Sequence, residues 1–173
     1  TNVPDSDGRA RALGIACFIE SSAAGPPESA NITATSDGTV TIRTGASSVG
    51  QGTETGLAQI CADYLDIDIA RVQVLHGSTT LVKTGGGTFH SRNTVMAGNA
   101  TRIAADLLKD HAVGIAALRW NCDPENLRYS DGAVYRYNER LSLQELASFS
   151  EHRGETLAAD AIFDNEKRIS YSY

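Results

Sequence analysis

Two Asp-Gly pairs, Asp37-Gly38 and Asp131-Gly132, each divide a pair of short segments rich in alternating apolar residues. That pattern is the strongest short-range signal for a β-hairpin, because glycine readily supplies the positive φ of a tight turn. The first hairpin is expected from Ile32–Ser36 and Thr39–Arg43, with Ile32 and Ala34 sharing a face with Val40 and Ile42. The second is expected from Leu127–Ser130 and Ala133–Tyr137. Two runs of helical spacing lie between them. Leu57, Ala58, Cys61 and Leu65 form one stripe and predict a helix over Thr53–Leu65. Met96, Ala100, Ile103, Leu107, Ile115 and Leu118 predict a long helix from Arg92 to Trp120, irregular near Gly114 and stopped by Cys122-Asp123-Pro124.

Weaker signals fill the remainder. Leu13, Ile15, Cys17 and Ile19 alternate and predict a strand over Arg11–Glu20. Arg71–Leu75 reads as a strand with Val72 and Val74 inward, and Thr156–Phe163 as another. Leu141–Phe149 reads as a short helix, with Ser142 and Glu145 spaced as a capping box. Hairpins interleaved with two main helices define an α+β, or mixed α/β, fold. Residues 1–8 are expected to be a flexible leader. Residues 9–173 are expected to form one domain, with a first lobe over 9–120 and a hairpin, short helix and strand over 121–173. A chain that starts at Thr1 and stops at Ser172-Tyr173 is expected to be a piece of a longer protein.

The net charge of −6 argues against a nucleic-acid surface. No apolar run approaches the roughly 18 residues of a membrane span. Cys17, Cys61 and Cys122 are far apart, which disfavours a disulfide framework and fits no metal-ligand spacing. Cys17 and Cys61 lie in apolar runs and are expected in the core. A reducing, cytoplasmic setting follows as the expectation, and no metal ligand is assigned.

Two glycine-flanked turns carry the chemistry. Gly50-Gln51-Gly52-Thr53-Glu54-Thr55 joins a strand to a helix, where backbone N–H groups can face an anion. The alternative is an ordinary helix start with Thr53 as N-cap and Glu54 favoured by the helix dipole. Gly85-Gly86-Gly87-Thr88-Phe89-His90-Ser91-Arg92 precedes the second helix. There Arg92 is a candidate bidentate phosphate ligand and Ser91 a cap or anion donor. A flexible loop with an N-cap is the alternative. His90 beside Ser91 invites a hydrolase reading, but adjacent residues seldom align as nucleophile and base, and no G-x-S-x-G elbow occurs.

The order GQGTET, then a strand ending His76-Gly77, then GTFHSR followed by AGNA resembles the molybdenum-cofactor-binding large subunit of the xanthine dehydrogenase/aldehyde oxidase family. The likeness is strongest from Val40 to Ala105 and extends more weakly over residues 9–173. SRNTVMAGNATRIAADLL is similar to 4-hydroxybenzoyl-CoA reductase α subunits. The resemblance implies that Gly50, Gln51, Gly52, Thr53, Glu54 and Thr55, with Thr88, Phe89, His90, Ser91 and Arg92, help bind molybdopterin, in its cytosine dinucleotide form in many bacterial relatives. It implies iron–sulfur clusters and FAD on other subunits or domains, and an aldehyde, N-heterocycle or aromatic CoA thioester as substrate. Many relatives carry glycine where His90 stands and aspartate where Ser78 stands, so the resemblance does not fix the contacts of this turn. The family's metal-facing loop and its late G-x-G-E segment, whose glutamate acts as base, are missing from the chain. No catalytic residue is therefore assigned, and the chain alone is expected to be inactive. A non-catalytic nucleotide-binding or interaction module of the same fold is the alternative.

Overall fold

The computed structural model describes residues 6–10, 12–18, 22–23, 25–82 and 84–165. Part of the expected leader, residues 1–5, lies outside them.

Strands β1 (Glu28–Ala34) and β2 (Val40–Thr44) form the first predicted hairpin, with Ile32 opposite Ile42 and Ala34 opposite Val40. Asp37 closes its turn by accepting from the Thr35 hydroxyl and the Thr39 N–H. Helix α1 (Thr53–Leu65) then crosses to β3 (Val72–Leu75), which pairs parallel with β2. Helix α2 (Gly98–Trp120) leads to a meander of β4 (Arg128–Ser130), β5 (Ala133–Arg136) and β6 (Glu139–Ser142). Helix α3 (Leu143–His152) and β7 (Ala158–Phe163) follow. One sheet has the order β3-β2-β1-β7, with β7 antiparallel to β1; the other is β4-β5-β6.

The core lies between the four-stranded sheet and the helices. Ile32, Val40, Ile42, Leu57, Cys61, Leu65, Leu108, Leu143 and Leu146 are buried there. Each fully buried Leu or Ile contributes roughly 2 kcal/mol. Burial pushes the Cys61 thiol up to about 12, so this cysteine behaves as a small apolar residue.

Helix α2 shows where large-residue patterning misleads. Leu107 and Leu118 from the predicted stripe are exposed at 44% and 63%, while Ala100, Ala104, Ala105, Leu108, Ala112 and Ala116 are buried. Small side chains let the helix lie close against the sheet, so alanines take the inner face. The expected irregularity at Gly114 is absent. It falls instead at the start, where Asn93–Ala97 forms a π-helical turn.

The second sheet is tied to the end of α1. The Tyr129 hydroxyl donates to Leu65 O at 2.8 Å, and Asp131 N–H donates to Asp66 Oδ2 at 2.7 Å. Burial, then the nearby Asp66 carboxylate, pushes the Tyr129 phenol upward. Strand β6 was missed in the sequence because Glu139–Ser142 has no apolar alternation; it forms because β5 presents a free edge to it. Leu141 therefore belongs to a strand, and Ser142 is the N-cap of α3.

That cap is complete. Glu145 N–H donates to Ser142 Oγ and Ser142 N–H to Glu145 Oε2. The Ser142 N–H, then its hydroxyl, holds the Glu145 carboxyl below its usual value. Ser142→Ala is expected to destabilise the protein by about 1 kcal/mol. Faster hydrogen exchange confined to the first turn of α3 is the result to measure.

Residues 12–18 contradict the expected strand over Arg11–Glu20: they carry no regular structure and are exposed, Leu13 at 92% and Ile15 at 87%. No edge of either described sheet pairs with them. Cys17 is consequently exposed, against its expected place in the core. Residues 11, 19 and 20 of that segment lie outside the described set.

Candidate functional site

The parallel pairing of β2 and β3 decides where the two turns go. Both strands point the same way, so the loops that leave them emerge on one edge of the sheet. That edge, beyond the carboxyl ends of parallel strands, is where helix N-termini also gather.

In the first turn, Gly52 is the N-cap of α1 in the left-handed region, φ 79°, and no side chain caps the helix. Thr53 is thus not the cap. It is the first helical residue, 6% exposed, and its Oγ1 accepts from Asn93 Nδ2 at 2.8 Å. Gln51 Oε1 accepts from Val49 N–H at 2.7 Å and tightens the turn. Glu54 Oε1 lies 2.8 Å from His76 Nε2. The His76 hydrogen bond, then the Glu54 N–H and the Ser48 hydroxyl, holds this carboxyl below its ordinary value. Thr55 faces solvent. A Cβ placed on Gly50 or Gly52 would meet nothing within 4 Å, so the backbone here borders open space.

The second turn is built differently from its sequence reading. Each glycine of the triplet answers a separate demand. A Cβ on Gly85 would collide with the backbone of Gly45, and one on Gly86 with the guanidinium of Arg92. Gly87 has φ 75°. The bidentate phosphate contact expected of Arg92 is not what its guanidinium makes. Arg92 is 1% exposed, and Nη1 donates to Glu28 Oε2 at 2.8 Å and to Gly87 O at 2.9 Å, while Nη2 donates to Pro26 O. Glu28, also 1% exposed, accepts further from Gly86 N–H at 3.0 Å. Above this pair, Phe89 lies with its ring centroid 5.3 Å from the guanidinium carbon. His90 and Ser91 are exposed, and both are left-handed, φ 47° and 46°. Two such residues in succession turn the chain sharply into the helix.

The two turns meet. Gln51 lies beside Thr88, Phe89, His90, Ser91, Arg92, Asn93 and Thr94 around a cleft of about 260 Å³. A smaller hollow next to it is lined by Gln51, Gly52, Thr53, Gly56, Asn93 and Thr94. Neither α1 nor the π-helical turn has a side-chain cap at its N-terminus, and the first residues of both line the smaller hollow. A larger hollow between α2 and α3, about 390 Å³ and lined by Arg119, Phe149 and His152 among others, contains none of these residues.

Two residues that organise the site went unnoticed in the sequence. Asn93 touches both turns. Glu28 holds Arg92, and its position was legible: it shares the inward face of β1 with Ala30, Ile32 and Ala34, where a lone charge demands a buried partner. Among the described residues, no three His, Cys, Asp or Glu side chains are grouped to hold a metal ion, and no helix is long and apolar enough to cross a membrane.

Comparison with known proteins identifies the family. The molybdopterin cofactor-binding domain family matches residues 2–173, and the chain belongs to that family, within the xanthine dehydrogenase group of proteins. It is 34% identical over 177 residues to the 6-hydroxypseudooxynicotine dehydrogenase complex subunit gamma of Paenarthrobacter nicotinovorans, an alignment covering 97% of this chain and 22% of that one. It is 32% identical to the xanthine dehydrogenase molybdenum-binding subunit of Escherichia coli O157:H7, covering 87% of this chain and 22% of that one. The solved CO dehydrogenase of Oligotropha carboxidovorans superposes with a TM-score of 0.73 at 32% identity, over 80% of this chain and 18% of that one. The chain therefore spans about a fifth of the length of these relatives.

Proposed function

We propose that the cleft between the two turns receives the phosphate-bearing part of a molybdopterin cofactor, in its cytosine dinucleotide form. The proposal rests on one observation: two helix N-termini without side-chain caps both line the small hollow that adjoins the cleft. Such N–H groups, backed by the helix dipoles, favour a polyanion without any lysine. Gly50 and Gly52 let the backbone approach closely. Gln51 adds an amide, and Thr53, Glu54 and Thr55 supply N–H groups from the first turn of α1. Thr88, Phe89, His90 and Ser91 form the opposite wall. Arg92 acts from beneath, holding that wall in place through Glu28.

When bound, the cofactor supplies the molybdenum at which oxygen and electrons are exchanged with a substrate carbon. The residues of this chain bind and orient it. The catalytic base and the substrate pocket are assigned to other parts of the polypeptide, and iron–sulfur and FAD carriers to partner subunits or domains. The parent activity is a molybdenum-dependent oxidoreductase. Its substrate is left at the level of an aldehyde, N-heterocycle or aromatic carbon. The likeness to 4-hydroxybenzoyl-CoA reductase rests on sequence resemblance alone, and the relatives above are named for other substrates.

Thr94, exposed and bordering both hollows, provides the test. Thr94→Glu sets a carboxylate where phosphate would bind. A negative charge near a helix N-terminus favours the helix, so the fold is expected to persist. Molybdenum and pterin per polypeptide, measured in the purified full-length protein, are expected to fall about tenfold or more, a change of roughly 1.4 kcal/mol. Thr94→Ser is expected to load normally. Full loading of Thr94→Glu would refute the assignment.

A further inference from the structure

Asn93 stands where the two turns, the preceding loop and the second helix come together. Its Nδ2 donates to Thr53 Oγ1 at 2.8 Å and reaches Ser47 O at 3.4 Å. Its Oδ1 accepts from Thr88 Oγ1 at 3.1 Å. Thr88 Oγ1 in turn accepts from Ser47 N–H at 3.3 Å and has Ser47 O as a second acceptor within reach. Ser47, Thr88 and Asn93 thus form one hydrogen-bonded ring, and Asn93 ties Thr53 to it. Each belongs to a different piece of chain: the loop after β2, the start of α1, the glycine-rich turn and the π-helical turn.

We infer that Asn93 is a positioning residue that sets the spacing between the two helix N-termini for the phosphates of a bound cofactor. The inference rests on the cofactor assignment above. A carboxamide suits the task because it donates and accepts at once. Serine or aspartate at this place could not both donate to Thr53 and Ser47 and accept from Thr88. The core beneath does not depend on it. Leu57, Cys61, Ala100 and Ala104 of the two helices are buried in one core, and at Gly98 a Cβ would stand 3.0 Å from Ile60 Cδ1. Asn93 is half-buried and lines both hollows, so groups freed by its loss can be reached by water. The π-helical geometry contributes as well. Gly98 N–H bonds to Asn93 O, five residues back, so the turn holds one more residue than an α-turn.

The test compares Asn93→Ala with the parent sequence in full-length protein, each prepared in two forms: loaded with cofactor, and cofactor-free from a host unable to make molybdopterin. The cofactor-free variant is expected to melt within about 2 °C of the cofactor-free parent. The loaded variant is expected to lose most of the upward shift in melting temperature that the cofactor confers. Its pterin content per polypeptide is expected to fall threefold or more. Equal losses of melting temperature in both forms would make Asn93 an ordinary structural residue and overturn the inference, as would a pterin content reduced less than threefold. Should Asn93→Ala fail to fold, Asn93→Asp, of the same shape, carries the same comparison. An Asn93 variant that loads fully while Thr94→Glu is empty removes only this inference; full loading of both removes the cofactor assignment itself.

Discussion

Arg92→Met is expected to destabilise the protein by about 3–5 kcal/mol, although methionine fills much of the same space. The substitution leaves Glu28 as a carboxylate 1% exposed, answered among the described residues by the Gly86 and Ser29 N–H groups. It also strips the carbonyls of Gly87 and Pro26 of their donor. The dominant penalty is the uncompensated charge and not the lost attraction, because an ion pair removed from water gains little over a neutral pair. Two controls follow from that reasoning. Arg92→Lys keeps the charge but has no planar fork, so it cannot serve Glu28, Gly87 and Pro26 together and is expected to lose about half as much. The double change Glu28→Gln with Arg92→Met removes both charges and is expected to recover roughly 2 kcal/mol of the single loss. For a domain of this size the single variant corresponds to a melting temperature lower by roughly 6–20 °C. Thermal unfolding of the full-length protein, with hydrogen exchange of β1 and residues 84–91, reads the effect locally. A loss under about 1 kcal/mol would show that the pair is solvated and overturn this account.

Gly85→Ala is expected to be the second most damaging change, at roughly 3 kcal/mol, the upper end for overpacking. The added methyl meets the Gly45 carbonyl carbon and oxygen, each 2.8 Å away, and its Cα closer still. Backbone cannot swing aside as a side chain can. The mirror change, Gly45→Ala, drives its methyl onto Gly85 and to 2.6 Å from Glu28 Oε1, so it should resemble a weakened form of the Arg92 defect. Gly50→Ala, facing open space, adds no clash and should lose only the roughly 1 kcal/mol of a left-handed alanine. The ratio of these losses separates steric crowding from conformational preference. Equal losses at Gly50 and Gly85 would contradict the close crossing of the two loops.

Sequence patterns located the elements whose signals are local. The Asp37-Gly38 and Asp131-Gly132 turns, the bounds of α1 and the Ser142–Glu145 cap all depend on neighbours within a few residues. Strand β6, the alanine face of α2 and the unpaired state of residues 12–18 depend on what lies opposite in space, and there the pattern failed. The site shows the same division. Both turns were legible as glycine-flanked helix starts. Their meeting was not, since it follows from the parallel pairing of β2 with β3. Arg92 was misjudged because an arginine next to glycines reads equally as a phosphate ligand or as a buried strut. Only Glu28, 64 positions away, decides between the two.

The crossing of Gly45 over Gly85 bears on how such proteins can be re-engineered. The segments 44–52 and 84–93 interlock through backbone contact and the Thr88–Ser47 hydrogen bonds, and Glu28, beside Gly45, ties β1 to the second of them through Arg92. Neither is an independent cassette. A chimaera that takes one segment from a distant relative and leaves the other native should misfold at the seam, whereas exchanging both, together with Glu28, should transplant as a unit.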